Sequence, residues 1–411
     1  MKFLIILGGG TAGTIIANKL GRALGRDWRI VVIDRDNDHV YQPGLPFVPF
    51  HAYEASDLVR SRRHYLEHRV ELIESPIARI EPGRKSVLLG NDDALPYDFL
   101  VVATGAQMAP ERDFGLLGSD WNGNVGEFYT LEGSARLQRF LDSWRGGRLV
   151  VSAGRAPSKS ANASLEFTLL ADAYFRALRI RNGVEIEYLT PLPAAAMPPK
   201  VAALFAELFA QRRIKLTTSF VQARVDQSGR KVVAVDGRET PYDLLVSTPT
   251  TIGAPVVGAS GLGNALNFVA TDRDTLLVKN HDNVFALGDA TDLPVAKTAA
   301  TAWLQADVVA ANLLSLAAGR APEAKFSGRA GCFVDSGEGR AVLMECDDDS
   351  DTVPGGYPIP AIGPLSTLKE TRLNHWGKMM FRWVYWNLLL PGRPLPVSGQ
   401  PHAHAAAHQA A

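Results

Sequence analysis

Along the chain, short apolar runs alternate with glycine-rich turns and with segments whose apolar residues recur at helical spacing. Lys2-Phe-Leu-Ile-Ile-Leu7 is an apolar strand, Thr14-Ile-Ile-Ala-Asn-Lys-Leu20 has helix spacing, and Arg29-Ile-Val-Val-Ile-Asp34 is a second strand. Pro96-Tyr-Asp-Phe-Leu-Val-Val-Ala-Thr-Gly105 and Asn283-Val-Phe-Ala-Leu-Gly-Asp289 read as two further strands. A second set of elements lies between them. Leu149-Val-Val-Ser-Ala-Gly154 is a strand, residues 165–178 have helix spacing, and Val184-Glu-Ile-Glu-Tyr-Leu189 is a partly alternating strand. Strands interleaved with helices predict an α/β fold of two Rossmann-like dinucleotide-binding domains. Residues 1–115 and 269–325 are expected to form the first domain, 116–268 an inserted second one, and 326–411 a C-terminal region.

In that last region, Asp335-Ser-Gly-Glu-Gly-Arg340 reads as a hairpin turn between strands that carry Cys332 and Cys346. A turn centred near Glu338 sets Met344, not Cys346, opposite Cys332. A disulfide requires Cα atoms roughly 4.4–6.8 Å apart, so Cys346 is read as an ordinary strand cysteine. Residues 371–390 predict an amphipathic helix. Leu373, Trp376, Met380, Trp383, Val384 and Leu388 form its apolar stripe, with Arg372, Lys378 and Arg382 as cations for lipid headgroups. Three of the seven tryptophans fall in this segment, in keeping with the indole preference for membrane interfaces. A helix buried in the core or a dimer interface is the alternative. Pro391-Gly-Arg-Pro-Leu-Pro then ends the helix.

The turn Gly8-Gly9-Gly10-Thr11-Ala12-Gly13 has a physical reading. Gly8 permits a tight turn, Gly10 lets backbone approach a pyrophosphate, and Gly13 lets helix and strand pack closely. The pyrophosphate rests on the helix N-terminus, whose free N–H groups and positive dipole end favour an anion. Asp34, at the end of the next strand, lies about twenty residues on, the spacing for a ribose hydroxyl. After the strand at 149–154 no such spacing can be drawn through Ala153-Gly154-Arg155-Ala156-Pro157-Ser158, and Pro157 removes a backbone N–H. Binding of a nicotinamide cofactor is therefore disfavoured.

The chain has 411 residues, 46% of them hydrophobic, with Lys+Arg and Asp+Glu equal at 43 each. The material suffices for two or three domains, and no global field favours nucleic acid. Two cysteines exclude a disulfide scaffold and a cysteine-based metal site. No metal site is expected, and the three histidines of the tail Pro401–Ala411 read as part of a disordered segment. Neither a secretory signal nor a transmembrane helix is expected, since no apolar run reaches about 18 residues.

The strands ending in Ala103-Thr104-Gly105 and Gly288-Asp289 resemble the paired FAD signatures of flavoproteins with two dinucleotide domains. Longer segments resemble sulfide:quinone oxidoreductases and the flavin subunit of flavocytochrome c sulfide dehydrogenase. They are Arg148–Phe167, Asp243–Thr250, Gly288–Ala302 and Leu365–Lys378. The resemblance implies non-covalent FAD held by Gly8, Gly10, Thr11, Ala12, Gly13, Asp34, Arg35, Ala103, Thr104, Gly105, Gly288, Asp289 and Lys297. It also implies a sulfide or related sulfur donor, a membrane quinone acceptor, and peripheral, monotopic attachment to a cytoplasmic or inner membrane through residues 366–390. Assembly into a homo-oligomer is left open.

In that family two cysteines form a redox pair beside the flavin. Cys332 matches the flavin-proximal one, whereas Ser160 stands in the slot of the other. An alcohol is a poor nucleophile at neutral pH, and its oxygen cannot carry a persulfide. Sulfur chemistry through Cys332 alone, direct attack of a sulfur nucleophile on the flavin, or another donor all stay open. Tyr129 and Gly133 stand where relatives have a third cysteine and a histidine. Phe333 and Phe381 match aromatics that sandwich a quinone, and Lys297 a lysine near the flavin and quinone carbonyls. Core phenylalanines and a surface lysine are the plainer readings. Glu166 is read either as a proton carrier or as a helix-surface carboxylate. A type II NADH:quinone dehydrogenase-like enzyme, a flavoprotein docking on a cytochrome, and a catalytically impaired relative are the alternatives.

Overall fold

The computed structural model describes residues 1–155, 159–160, 162–328, 330–346, 356–357 and 364–394. The apolar run at the start forms β1 (Lys2–Leu7), followed by α1 (Thr11–Ala23), β2 (Trp28–Asp34), β3 (Val70–Glu74) and β4 (Phe99–Val102). Strand β4 is shorter than the run at 96–105 suggested, because Ala94–Pro96 belongs to a separate antiparallel sheet. Its final Ala103-Thr104-Gly105 leaves the sheet as a turn.

A second unit follows: β5 (Val125–Gly126), α2 (Leu131–Ser143), β6 (Gly147–Ser152), α3 (Ala163–Ala177), β7 (Val184–Leu189), α4 (Pro199–Gln211), β8 (Ile214–Thr217) and β9 (Leu244–Ser247). These strands form one parallel sheet in the order β5-β9-β6-β7-β8. The chain then returns to the first sheet as β10 (Val284–Ala286), which pairs with β4 and completes the parallel order β10-β4-β1-β2-β3. Both sheets are buried on both faces by helices and loops, which is why their strands read as near-continuous apolar runs.

After α5 (Ala299–Ala317) comes the hairpin of β11 (Ala330–Gly337) and β12 (Arg340–Cys346), joined on its far edge by β13 (Glu370–Thr371). Cys332 faces Met344 and Cys346 pairs with Ala330, as the hairpin reading expected. The Cys346 side chain, the turn at 156–158 and the histidine-bearing tail lie outside the described residues. The expected C-terminal helix is α6 (Arg372–Val384), which continues as a π-helical turn, Tyr385–Leu389. This turn is buried in the core of the first unit, where Tyr385, Trp386 and Leu389 pack with Ile15, Tyr41 and Leu45. The C-terminal strands and helix thus lie against both units: β11 contributes Val334 to the core of the second, α6 and its turn to that of the first.

Candidate active site

The three glycines after β1 differ in what surrounds them. Gly8 has φ +91°, and a Cβ there would run into the backbone of Ala103; a Cβ on Gly13 would collide with the Gly8 carbonyl. A Cβ on Gly10 would meet no protein atom within 4 Å. It opens on a large cavity, and so do Thr11 and Ala12 at the start of α1. At the tip of β2, Asp34 accepts hydrogen bonds from Gly9 N at 2.7 Å and Arg35 N at 2.8 Å. Arg62, only 4% exposed, pairs with Asp34 at 3.2 Å and donates to the carbonyls of Gly9, Asp36 and Asp38. It locks the turn to β2. Nothing in the run Arg60-Ser-Arg-Arg63 distinguishes it beforehand. The Arg35 side chain is largely bare and lies at the same end of the cavity.

The cavity, about 1660 Å³, runs from this turn to the C-terminal hairpin and α6. Its walls include Asp34, Ala103, Thr104, Gly105, Gly288, Asp289 and Lys297. It exceeds the roughly 300–1,000 Å³ of an ordinary ligand pocket. Two buried polar atoms of cavity-lining residues, Thr104 Oγ1 and Trp303 Nε1, have no hydrogen-bond partner among the described residues. An open Gly10, an uncapped helix N-terminus and such orphaned groups fit a flavin dinucleotide. Lys297 Nζ donates to the carbonyls of Asp289 at 3.0 Å and Thr291 at 2.9 Å, and stands 4.6 Å over the Phe268 ring. Burial holds its ammonium below the usual lysine range, against the pull of Asp289 and Asp292. It is therefore no simple surface lysine.

Cys332 and Ser160 line the same cavity. Cys332 is not in a disulfide, and Asn162 Nδ2 donates to its Sγ at 3.5 Å. Ser160 takes a left-handed conformation, φ +51°, in the turn before α3. Phe333 packs against α6 at Gly377, where an added Cβ would press on its ring, and Phe381 lies farther along that wall.

Glu166 is not a helix-surface carboxylate. It is 5% exposed, 2.9 Å from Lys378 Nζ, and accepts the Asp335 backbone N–H at 2.7 Å. Burial raises its carboxyl above the ordinary range, with Lys378 the main opposing influence. Asp335 in turn pairs with His375 Nδ1 at 2.7 Å. The reading of Lys378 as a headgroup cation is corrected: it is 7% exposed and also donates to the Phe333 carbonyl at 3.2 Å. Its face of α6 meets β11, where a carboxylate and a carbonyl draw the ammonium inward. The other face of α6 is bare, with Leu373 54%, Trp376 70%, Met380 62% and Trp383 58% exposed. No helix among the described residues is long and apolar enough to cross a membrane.

Two departures from the family pattern acquire a structural setting. The Tyr129 hydroxyl is 3.1 Å from Thr248 Oγ1, and burial raises its pKa. A Cβ on Gly133 would strike the carboxylate of Glu127, which accepts from Thr130 Oγ1 and the Tyr129 and Thr130 N–H groups. Three residues escaped the sequence reading because their partners are remote in the chain: Asn162, His39 and Tyr385. The Tyr385 hydroxyl bonds Thr11 Oγ1 at 2.6 Å and His39 Nε2 at 2.8 Å, tying the C-terminal turn to the first residue of α1. Burial, aided by Arg62, lowers the His39 pKa to about 3, so the ring is neutral near pH 7.

Residues 2–306 match the family model of pyridine nucleotide-disulphide oxidoreductases. The chain belongs to that family. It is accordingly a flavin-dependent oxidoreductase, similar to sulfide:quinone oxidoreductases over almost its whole length. It is 26% identical to the mitochondrial sulfide:quinone oxidoreductase of Mus musculus over 396 residues, 95% of this chain and 86% of that one. Identity to the mitochondrial enzyme of Dictyostelium discoideum is 25%, with the same coverage of both chains. The solved structure of the sulfide:quinone oxidoreductase from Aquifex aeolicus superimposes with a TM-score of 0.77 at 21% identity, covering 96% of this chain and 92% of that one. Members of the family that use NAD(P)H carry a second glycine turn after the strand equivalent to β6. Here Gly154, at φ +68°, packs on the Thr248 carbonyl much as Gly8 packs on that of Ala103. Lys159, five residues on, has its N–H bonded to Thr251 Oγ1 at 2.9 Å and its Nζ to the Ala106 carbonyl at 3.3 Å.

Proposed function

We propose that this oxidoreductase uses non-covalently bound FAD to pass electrons from sulfide or a small related sulfur donor to a membrane quinone, with Cys332 as its one redox cysteine. The observation that carries the reading is the single cavity. It joins the glycine turn and Asp34 to Cys332 and Ser160, and these to an apolar wall of Phe333, Phe381, Trp376 and Leu388. Residues 1–115 and 269–325 form the flavin domain, 116–268 the second domain, and 326–411 the cysteine hairpin and membrane-contact region.

Gly8, Gly10, Gly13 and the start of α1 receive the pyrophosphate, Asp34 the adjacent ribose, and Asp289 the ribityl-phosphate region. The bound flavin supplies a two-electron acceptor that can be reoxidised by quinone. Cys332 would hold a thiolate beside that acceptor; joining its sulfur to that of sulfide is a two-electron oxidation whose electrons would go to the flavin, and the Ser160 oxygen cannot share the sulfur. Phe333 and Phe381 offer flat apolar surfaces to a quinone ring, Lys297 a cation to its carbonyl, and Glu166 with Lys378 a buried store of protons. The bare stripe of α6 rests on the bilayer as a peripheral attachment, giving the cavity access to a lipid-soluble acceptor.

Anaerobic mixing tests this. Sulfide is expected to bleach the flavin absorbance of the purified protein, and a short-chain quinone to restore it. Cys332→Ser should bleach at least tenfold more slowly. The retained Gly154 turn favours a second reading, an NADH:quinone reductase, so NADH is mixed in parallel. Bleaching by NADH and not by sulfide would replace the first reading with the second.

A further inference from the structure

Helix α3, like α1 and α4, begins without a side-chain cap, although the residue before it could supply one. Three other helices start at a threonine whose hydroxyl accepts the N–H three residues on: Thr130 from Gly133, Thr298 from Thr301 and Thr371 from Asn374. Asn162 holds the same position before α3, and asparagine is among the best residues for that task. Its side chain makes no such bond, and its backbone is already helical at φ −80°, ψ −10°. The amide is turned away from the helix, toward Cys332 Sγ at 3.5 Å, a donor distance suited to the large sulfur atom. The Ser160 carbonyl takes the Ala163 N–H at 2.8 Å, so the chain enters α3 without the cap that Asn162 would supply.

A thiol accepts hydrogen bonds weakly and a thiolate strongly, so a donor held against the sulfur favours ionisation. The start of α3, at the same end as Asn162, adds the positive end of a fifteen-residue helix. Other charged groups on this cavity include Lys159 before α3, 3.8 Å from Asp289, Lys297 before α5, and the Glu166–Lys378 pair from α3 and α6, whose charges offset one another; Asp34, Arg35, Asp36, Asp38 and Arg62 lie toward the glycine turn. Asp335 on β11 is likewise paired, with His375.

We propose that Asn162 is a catalytic residue that donates to the Cys332 sulfur and keeps it as a reactive thiolate. The proposal rests on the reading of Cys332 as the nucleophile. It assigns the Asn162 amide to activation of the sulfur in a site where Ser160 leaves only one cysteine to carry the chemistry.

The test is alkylation of the flavin-loaded protein by iodoacetamide across a pH series, followed at the Cys332 peptide by mass spectrometry, in the unmodified chain, Asn162→Ala and Asn162→Asp. The unmodified chain is expected to react fastest. Asn162→Ala should move the ionisation seen in the pH dependence of the alkylation rate upward by about one pH unit. Asn162→Asp should be slowest, since it removes the donor and adds a negative charge. A role in starting the helix predicts another order, because aspartate caps as well as asparagine and alanine does not. Asp behaving like the unmodified chain, or equal rates in all three, would overturn the proposal. The reading of Cys332 fails separately, if Cys332→Ser still bleaches with sulfide at the unmodified rate.

Discussion

Gly10 and Gly13 are three residues apart and serve opposite ends. Gly13 is closed in by the Gly8 carbonyl, so any side chain must push α1 off β1; Gly10 faces the cavity, and a Cβ there would meet no protein atom within 4 Å. Gly13→Ala is expected to destabilise the fold by about 1–3 kcal/mol, the usual range for overpacking. Gly10→Val should leave the melting temperature of the flavin-free protein unchanged and cut the bound flavin recovered on purification. Equal loss of stability in both variants would contradict this division. The same comparison separates what was legible at this scale. Glycine spacing and the acid at Asp34 have meaning within one short segment, so they could be read directly. Arg62, Asn162 and Tyr385 work through partners between 24 and 374 residues away, and no local pattern marks them.

At the scale of elements, α6 divides its two faces between protein and exterior. Lys378 looked like one more cation beside Arg372 and Arg382, because helical spacing shows which residues share a face and not what that face meets. β11 brings a carboxylate to it, and the lysine turns inward. Lys378→Met leaves Glu166 buried without its partner and is expected to cost about 3–5 kcal/mol of stability, read by denaturant unfolding. Replacing Trp376 and Trp383 together by serine should leave stability within about 0.5 kcal/mol, since both are exposed. It should lower co-sedimentation with phospholipid vesicles several-fold. Undiminished sedimentation would remove the membrane role from this stripe. The hairpin was legible to its register, since its turn residues determine which positions face each other. The π-helical turn was not, because Tyr385–Leu389 reads as ordinary helix and its course depends on packing into the first unit.

For the whole molecule, two parallel sheets form the two units, and a large cavity runs from the glycine turn of the first, past the segment before α3, to the C-terminal hairpin and helix. The α/β fold was legible because buried parallel strands are apolar on both faces and glycine turns punctuate them. Repetition explains the residual likeness of the second turn to a nucleotide site: Gly154 keeps the tight strand-to-helix entry, while Lys159 ties the loop to Thr251 and Ala106. Among the described residues, Cys332 and Ser160 line that cavity together, with the Asn162 amide on the Cys332 sulfur. The proposed function makes this arrangement a working sulfur-to-quinone enzyme. The most direct measurement is steady-state, sulfide-dependent reduction of a quinone carried in phospholipid vesicles, comparing the unmodified chain with Cys332→Ser. Turnover by the unmodified chain that falls at least tenfold in the variant is the predicted result. No turnover with sulfide, or turnover that ignores the loss of Cys332, would contradict it.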